Sequence, residues 1–188
     1  WDAYSQELEN RMGRDDKLMR SIRSMARTAT PRRLVFSEGD SLNTIKAAIH
    51  LLSDGIATPI LIGSRSKIHA LLDEHKLSLD DKYILDFRSD EEEPRRQRYA
   101  TLLYSKMSRK GINHAEALKY MMQRDWFTLM MVASGDADTS LLGFGHSYIQ
   151  SLEPVRQVFG LQPSNRLATM QIVTTKRGPM FFADTAVI

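Results

Sequence analysis

The chain contains no cysteine, which excludes disulfides and cysteine-based zinc sites and fits a reducing compartment. It has no apolar run near the roughly 18 residues a membrane span needs, and no secretory signal pattern at its start. The expectation is a cytoplasmic protein with no membrane partner. Excess charge is also scarce. The formal charge of +3 comes wholly from residues 1–33, where eight Lys and Arg meet five Asp and Glu, while residues 34–188 carry eighteen of each. A basic arm that holds five acids and lacks interleaved aromatics is not a nucleic-acid footprint. The rest is ordinary: 188 residues, 42% hydrophobic and 26% charged, enough for one sizeable core or one domain and part of a second.

Residues 1–12 place Tyr4, Leu8 and Met12 at helical spacing. A second helix opens at Asp15-Asp16, with Leu18, Ile22 and Met25 on one side and Arg20, Arg23 and Arg27 on the other. These two helices read as a connector or docking arm over residues 1–30, ahead of a domain over 31–188. After Pro31 the pattern changes. Leu34-Val35-Phe36, Pro59 to Ile62, Tyr83 to Phe87 and residues 139–142 read as strands, with helical periodicity between them. Strands that are apolar without alternation, interleaved with helices, predict an α/β fold with a parallel sheet covered on both faces. Gly55 is placed to end the first of these helices, Ser64 and Asn113 to cap two others, and Gly111 to follow a helix stopping at Lys110. Residues 90–98, acidic then basic, read as a solvated loop and the first turn of a helix. Ala168 to Thr174 and Met180 to Val187 predict a hairpin turning at Thr175 to Gly178. A strand-like run that ends at Ile188 leaves an edge uncovered, so the domain is expected to stop before its C-terminal portion.

The stretch Gly135 to Gly160 carries the clearest local signal. An acidic turn leads into Leu141-Leu142, Gly143 and Gly145 bracket Phe144, and His146-Ser147 open a helix with Ile149, Leu152, Val155, Val158 and Phe159 on one face. A strand, a glycine turn and a helix start can present backbone N–H groups to an anion. The spacing is neither a P-loop nor a dinucleotide fingerprint.

With these pieces placed, the sequence resembles the phosphate acetyltransferase family, and within it the phosphotransacetylase-like C-terminal domain of large bacterial NADP-dependent malic enzymes. The resembling segments are Arg33 to Gly39, Gly55 to Gly63, Arg109 to Ile112, Gly135 to Asp138, Gly145 to Ser147, and Thr175 to Val187. They cover residues 33–187 in the family's order. The arm from Trp1 to Arg27 resembles the connector between the malic enzyme's nucleotide domain and this one. The resemblance implies a three-layer αβα sheet like those of phosphate acetyltransferase and isocitrate dehydrogenase, with a second lobe only begun. It also implies three departures. Met107 stands where family transferases carry an arginine, Leu142 where they carry serine, and Glu153 where they carry arginine in Leu-Arg-Pro. A phosphate substrate needs fixed donors that Met and Glu do not supply. The family's main catalytic residues fall beyond this chain.

The expected function is therefore a non-catalytic, regulatory and dimerising domain that senses acetyl-CoA within a malic enzyme, whose catalytic domain in cis would hold NADP and a divalent metal. The alternative is a fragment of an active phosphate acyltransferase, moving acetyl between CoA and phosphate. No catalytic or metal-binding residue is assigned in this segment. The candidates for the acyl-CoA or its phosphates are His146, Ser147, Arg166, Lys176 and Arg177. Against each stands a plainer reading: Ser147 as a helix cap, Lys176 and Arg177 as exposed turn charge. His50, His69 and His75 are read as solvated or structural, Asp136 and Asp138 as shaping a loop, and Glu38 to Ser41 as turn and cap residues.

Overall fold

The computed structural model describes residues 15–143, 145, 147–160, 169–175 and 178–183. The chain divides into two units, one formed by residues 31–160 and the other by residues 1–30 together with 161–188.

In the larger unit, β1 (Arg32–Phe36), β2 (Ala57–Ile62), β3 (Ile84–Leu85) and β4 (Thr139–Leu141) form one sheet in the order β3-β2-β1-β4, every pair parallel. The lack of polar alternation in these strands has a direct cause. Val35 and Ile62 enter the core on one face, and their neighbours Phe36 and Leu61 enter a second core on the other. Helices α2 (Leu42–Ser53) and α3 (Arg65–Glu74) close one face through Ile45, Ala48, Ile68 and Leu72. The other face is closed by α4 (Glu93–Met107), α5 (His114–Met121), α6 (Arg124–Ala133) and α7 (Tyr148–Phe159). The result is the expected three-layer α/β sheet. The methionines Met107, Met121, Met130 and Met131 are all core filler in that second layer.

Local signals are largely realised. Gly55 adopts φ +66°, and Gly55 and Ile56 donate to the carbonyls of Leu52 and Leu51, a Schellman end to α2. Asn113 and Glu116 form a capping box at α5, each side chain accepting from the other's backbone N–H at 2.9 Å. Ser64 occupies the N-cap position of α3 without a capping hydrogen bond.

β3 is shorter than the expected strand from Tyr83 to Phe87, because side chains compete for its backbone at both ends. Asp80 accepts from the Lys82 N–H and winds Asp81–Tyr83 into a 3₁₀ turn. Beyond β3, Asp86 accepts from the Arg88 N–H, and Arg96 donates to the carbonyls of Phe87 at 2.6 Å and Ser89 at 2.7 Å. Arg96 is only 5% exposed. The 90–98 stretch, read from sequence as a solvated loop and the first turn of a helix, does open a helix at Glu93 but also holds a buried arginine that organises the loop beneath it.

In the smaller unit, α1 (Asp15–Thr28) realises the expected second helix of the arm, with Met19, Ile22 and Met25 exposed. The hairpin is β5 (Met170–Thr175) against β6 (Gly178–Ala183), antiparallel and closed by the Thr175–Gly178 pair. The first helix expected over residues 1–12, and the turn residues Lys176 and Arg177, lie outside the described residues.

Candidate functional site

Strand order fixes where a ligand site is expected. From β1 the chain moves outward through β2 to β3, then returns across α4, α5 and α6 to place β4 on the other side of β1. The direction of winding therefore reverses between β1 and β4. In open α/β sheets ligands bind beyond the carboxyl ends of the strands at such a reversal.

Ser37 to Ser41 follow β1 there, and after β4 the Gly145 N–H donates to the Glu38 carboxylate at 2.7 Å. A cleft of about 810 Å³ opens beside them, lined by Glu38, Asp40 and Ser41, by Tyr120, Gln123, Arg124, Asp125 and Trp126 where α5 gives way to α6, and by Gln150, Glu153, Pro154 and Gln157 of α7. Backbone hydrogen bonds pin the first segment. Ser37 donates to the Leu141 carbonyl at 3.1 Å, and Gly39 to the Ile62 carbonyl at 2.9 Å. Gly39 cannot be replaced without movement, since a Cβ there would stand 2.7 Å from the Leu61 Cβ. Asp40 takes a two-pronged hydrogen bond from Arg124, at 2.6 and 3.0 Å. Burial works to raise the Asp40 carboxyl, but the Arg124 hydrogen bond and charge outweigh it and hold the group below its ordinary value. Tyr120 and Trp126 stack with ring centres 4.2 Å apart.

The sign of this cleft is clear. Four carboxylates, Glu38, Asp40, Asp125 and Glu153, line it against one guanidinium, Arg124, and Asp40 already occupies that guanidinium. A groove of equal volume runs along the β3 edge, but its cations are engaged: Arg33 with Asp138, Arg95 with Glu92, Arg98 with Asp136 and Lys82 with Asp80. Position at the reversal and unmatched charge make the first cleft the candidate site.

Of the residues singled out from sequence, Ser147 is described, and it caps α7. Its Oγ accepts from the Gln150 N–H at 3.4 Å, while Gln150 accepts from the Ser147 N–H at 3.2 Å. His146, Arg166, Lys176 and Arg177 lie outside the described residues. Asp136 and Asp138 separate into two structural roles. Asp136 accepts from the Tyr99 hydroxyl and from Arg98, and the Tyr99 hydroxyl is pushed up to about 12 by burial first and that bond second. Asp138 takes the Arg33 backbone N–H at 2.8 Å as well as its guanidinium. Met107 is buried in the core and Leu142 packs against it, whereas Glu153 faces the cleft. His69 meets Asp81 at 3.1 Å. Among the described residues there is no group of three or more His, Cys, Asp or Glu side chains placed to hold a metal ion. Glu38, Asp40 and Arg124 were not legible as a site, because Arg124 lies 84 positions from its partner and only the strand order brings them together.

The Arg33–Asp138 pair predicts a pH dependence. The side-chain and backbone hydrogen bonds from Arg33 depress the Asp138 carboxyl from 3.8 to about 2. A depressed carboxylate stabilises the fold above its unfolded value and loses that contribution as pH falls through the folded one. Stability should therefore decline between about pH 4 and pH 2, and Asp138→Asn should flatten that limb in denaturant midpoints measured across the range. An unchanged limb would remove the pair from the acid response.

A sequence profile of the phosphate acetyl/butaryl transferase family matches residues 17–188. The chain belongs to that family. Over its whole length it is also 32% identical to the NADP-dependent malic enzyme of Salmonella typhimurium, of which it covers 25%. It is 28% identical over 144 residues to the phosphate acetyltransferase of a Synechocystis species, covering 77% of this chain and 20% of that protein. The fold matches a phosphotransacetylase from Streptococcus pyogenes with a TM-score of 0.74 at 20% identity, over 89% of this chain and 52% of that one. The chain thus corresponds to the C-terminal, phosphotransacetylase-like region of malic enzymes and spans about a quarter of their length. Among the described residues no helix is long and apolar enough to cross a membrane.

Proposed function

We propose that this family member is a non-catalytic regulatory domain of a malic enzyme, one that senses acetyl-CoA and associates with its own copy. The parent would carry out oxidative decarboxylation of malate to pyruvate, with NADP and a divalent metal held by its catalytic domain in cis. The observation that carries the non-catalytic part is the acidic cleft, whose one guanidinium is already capped by Asp40. Chemistry on acetyl phosphate needs positive charge fixed at the place where this cleft has carboxylates. Placement in a malic enzyme is supported by whole-chain matches to malic enzymes, beside matches of 72–77% of the chain to phosphate acetyltransferases.

Acetyl-CoA would act on malate turnover at a distance, which requires unequal affinity for two states of the assembly. Lys176 and Arg177, which fall between β5 and β6 in sequence, are the cations proposed for the CoA phosphates, with Arg166, His146 and Ser147 contributing. In the full-length protein, Lys176→Ala with Arg177→Ala should abolish the effect of acetyl-CoA on malate oxidation while leaving unstimulated turnover in place. A retained response would take these two residues out of the site. An unmutated enzyme indifferent to acetyl-CoA would end the regulatory reading.

Self-association draws on the hairpin. Met170, Ile172 and Phe181 lie on one face of it and Val173, Met180 and Phe182 on the other, all more than 40% exposed. A two-stranded ribbon apolar on both faces needs cover. Sedimentation at micromolar concentration should give a species larger than one chain, shifted toward monomer by Phe181→Glu. A strict monomer throughout would count against the dimer.

A further inference from the structure

We propose that the cleft beyond β1 and β4 is a docking site for an arginine of a partner's peptide segment, held through its guanidinium and its main-chain carbonyl. The first observation is the charge balance. Four carboxylates and one guanidinium line the cleft, a surplus of three negative charges, and Asp40 already occupies that guanidinium. Glu38, Asp125 and Glu153 have no ion-pair partner among the described residues. Glu38 accepts from the Gly145 N–H and Glu153 from the Gln157 amide, both neutral donors that leave the charge in place. These charges are spread along the cleft. Among the described residues no three such side chains converge as a metal ion requires. A flat, delocalised cation with several N–H groups can serve separated carboxylates where a compact ion cannot.

The second observation is a donor without an acceptor. Trp126 is 5% exposed and lines the cleft. Its indole N–H can only donate, and it has no hydrogen-bond partner among the described residues. Nor is it one of the polar atoms sealed from solvent, so the small open part of this side chain includes the N–H. A buried tryptophan N–H ordinarily finds a partner, and here a ligand would have to bring one. Tyr120 stacks on Trp126 and gives the cleft an aromatic wall, against which a guanidinium can lie flat. The ligand these features fit carries a delocalised positive charge with a hydrogen-bond acceptor beside it. Arginine within a peptide has both. A free amino acid would also bring its own carboxylate into a cleft already surplus in negative charge, so the occupant is placed in a chain. Arginine is also among the residues that most often anchor protein interfaces.

None of the residues proposed for acetyl-CoA lines this cleft, so either proposal can fail without the other. The test is titration of the full chain with the blocked tripeptide acetyl-Gly-Arg-Gly-amide at low salt, followed by calorimetry and by fluorescence. The chain has two tryptophans, Trp1 and Trp126, so Trp1→Phe leaves the indole of the cleft as the sole reporter. The peptide should bind saturably, shift that emission, and weaken as salt is added. Citrulline in place of the peptide's arginine keeps the shape, removes the charge, and should weaken binding about tenfold. Free L-arginine should also bind about tenfold more weakly than the tripeptide. Glu153→Gln, a change at an exposed side chain, should cost about threefold. Trp126→Phe keeps the ring stack, removes the N–H, and should cost about fivefold by calorimetry. No saturable binding, equal affinity for the citrulline peptide, or no loss in Glu153→Gln overturns the site. Free arginine that binds as tightly as the tripeptide overturns the peptide partner and makes the ligand a small molecule. Should Trp126→Phe fail to fold, the emission shift in Trp1→Phe and the loss in Glu153→Gln decide.

Discussion

Arg96→Met should destabilise the larger unit by about 1–3 kcal/mol, the cost of leaving a buried carbonyl without its donor. The side chain is 5% exposed and satisfies two backbone carbonyls, Phe87 and Ser89, while its remaining N–H groups meet Glu93 at 2.6 and 3.1 Å. Methionine keeps the stem and its packing but removes the donor to the Phe87 carbonyl, while the Ser89 carbonyl keeps the Glu92 N–H at 3.2 Å. The Phe87 carbonyl is buried with Arg96, and an orphaned buried acceptor costs roughly 1–3 kcal/mol. The effect should spread, because Phe87 packs its ring 5.5 Å from Phe127, which in turn lies 5.2 Å from Tyr99. Arg96→Lys should recover part of the loss, since an ammonium reaches one carbonyl but cannot fork between two. Urea midpoints of the three proteins test the order. Equal stability of Arg96→Met and the parent would mean that the loop after β3 finds other donors.

That arginine also marks a boundary of what sequence could reveal. The strand-helix alternation, the uniformly apolar strands, Gly55 and Asn113 each act locally, so their patterns carry over to structure without translation. Residues 90–98 do not. A charged run is usually solvated, and nothing within the run tells that Arg96 folds back nine residues to the Phe87 carbonyl. The same rule shortened β3, where Asp80, Asp86 and Arg96 capture its flanking backbone. The candidate cleft was less legible still. Glu38 to Ser41 looks like a turn from sequence and is one, and its importance comes from strand order, which sets it against β4 and within reach of Arg124. Family resemblance singled out Met107, Leu142 and Glu153 as departures from the transferases. The structure separates these: Met107 and Leu142 belong to the core packing, and Glu153 alone of the three faces the cleft.

The second large expectation is an absence of turnover. The chain, mixed with acetyl phosphate and CoA, should transfer acetyl no faster than a heat-killed control. Acetyl phosphate is a dianion, and its reaction demands cations or N–H donors aimed at the phosphoryl oxygens. At an effective dielectric constant of about 20, each carboxylate some 5 Å from a unit negative charge repels it by roughly 3 kcal/mol before screening. Glu38, Asp125 and Glu153 all act in that sense, while the Arg124 charge is matched by Asp40. Gly145, whose N–H would be a natural donor at the turn, is already bonded to Glu38. Among the described residues, the Arg124 guanidinium and the Gly145 N–H each thus have a carboxylate of this chain seated on them. Measurable acetyl-CoA formation, abolished by changing His146 or Arg177, would reverse this conclusion and make the chain part of a working transferase. Glu153→Arg is the complementary arm: it should raise the affinity of the cleft for inorganic phosphate without producing turnover, since removing one repulsion does not build a catalytic site.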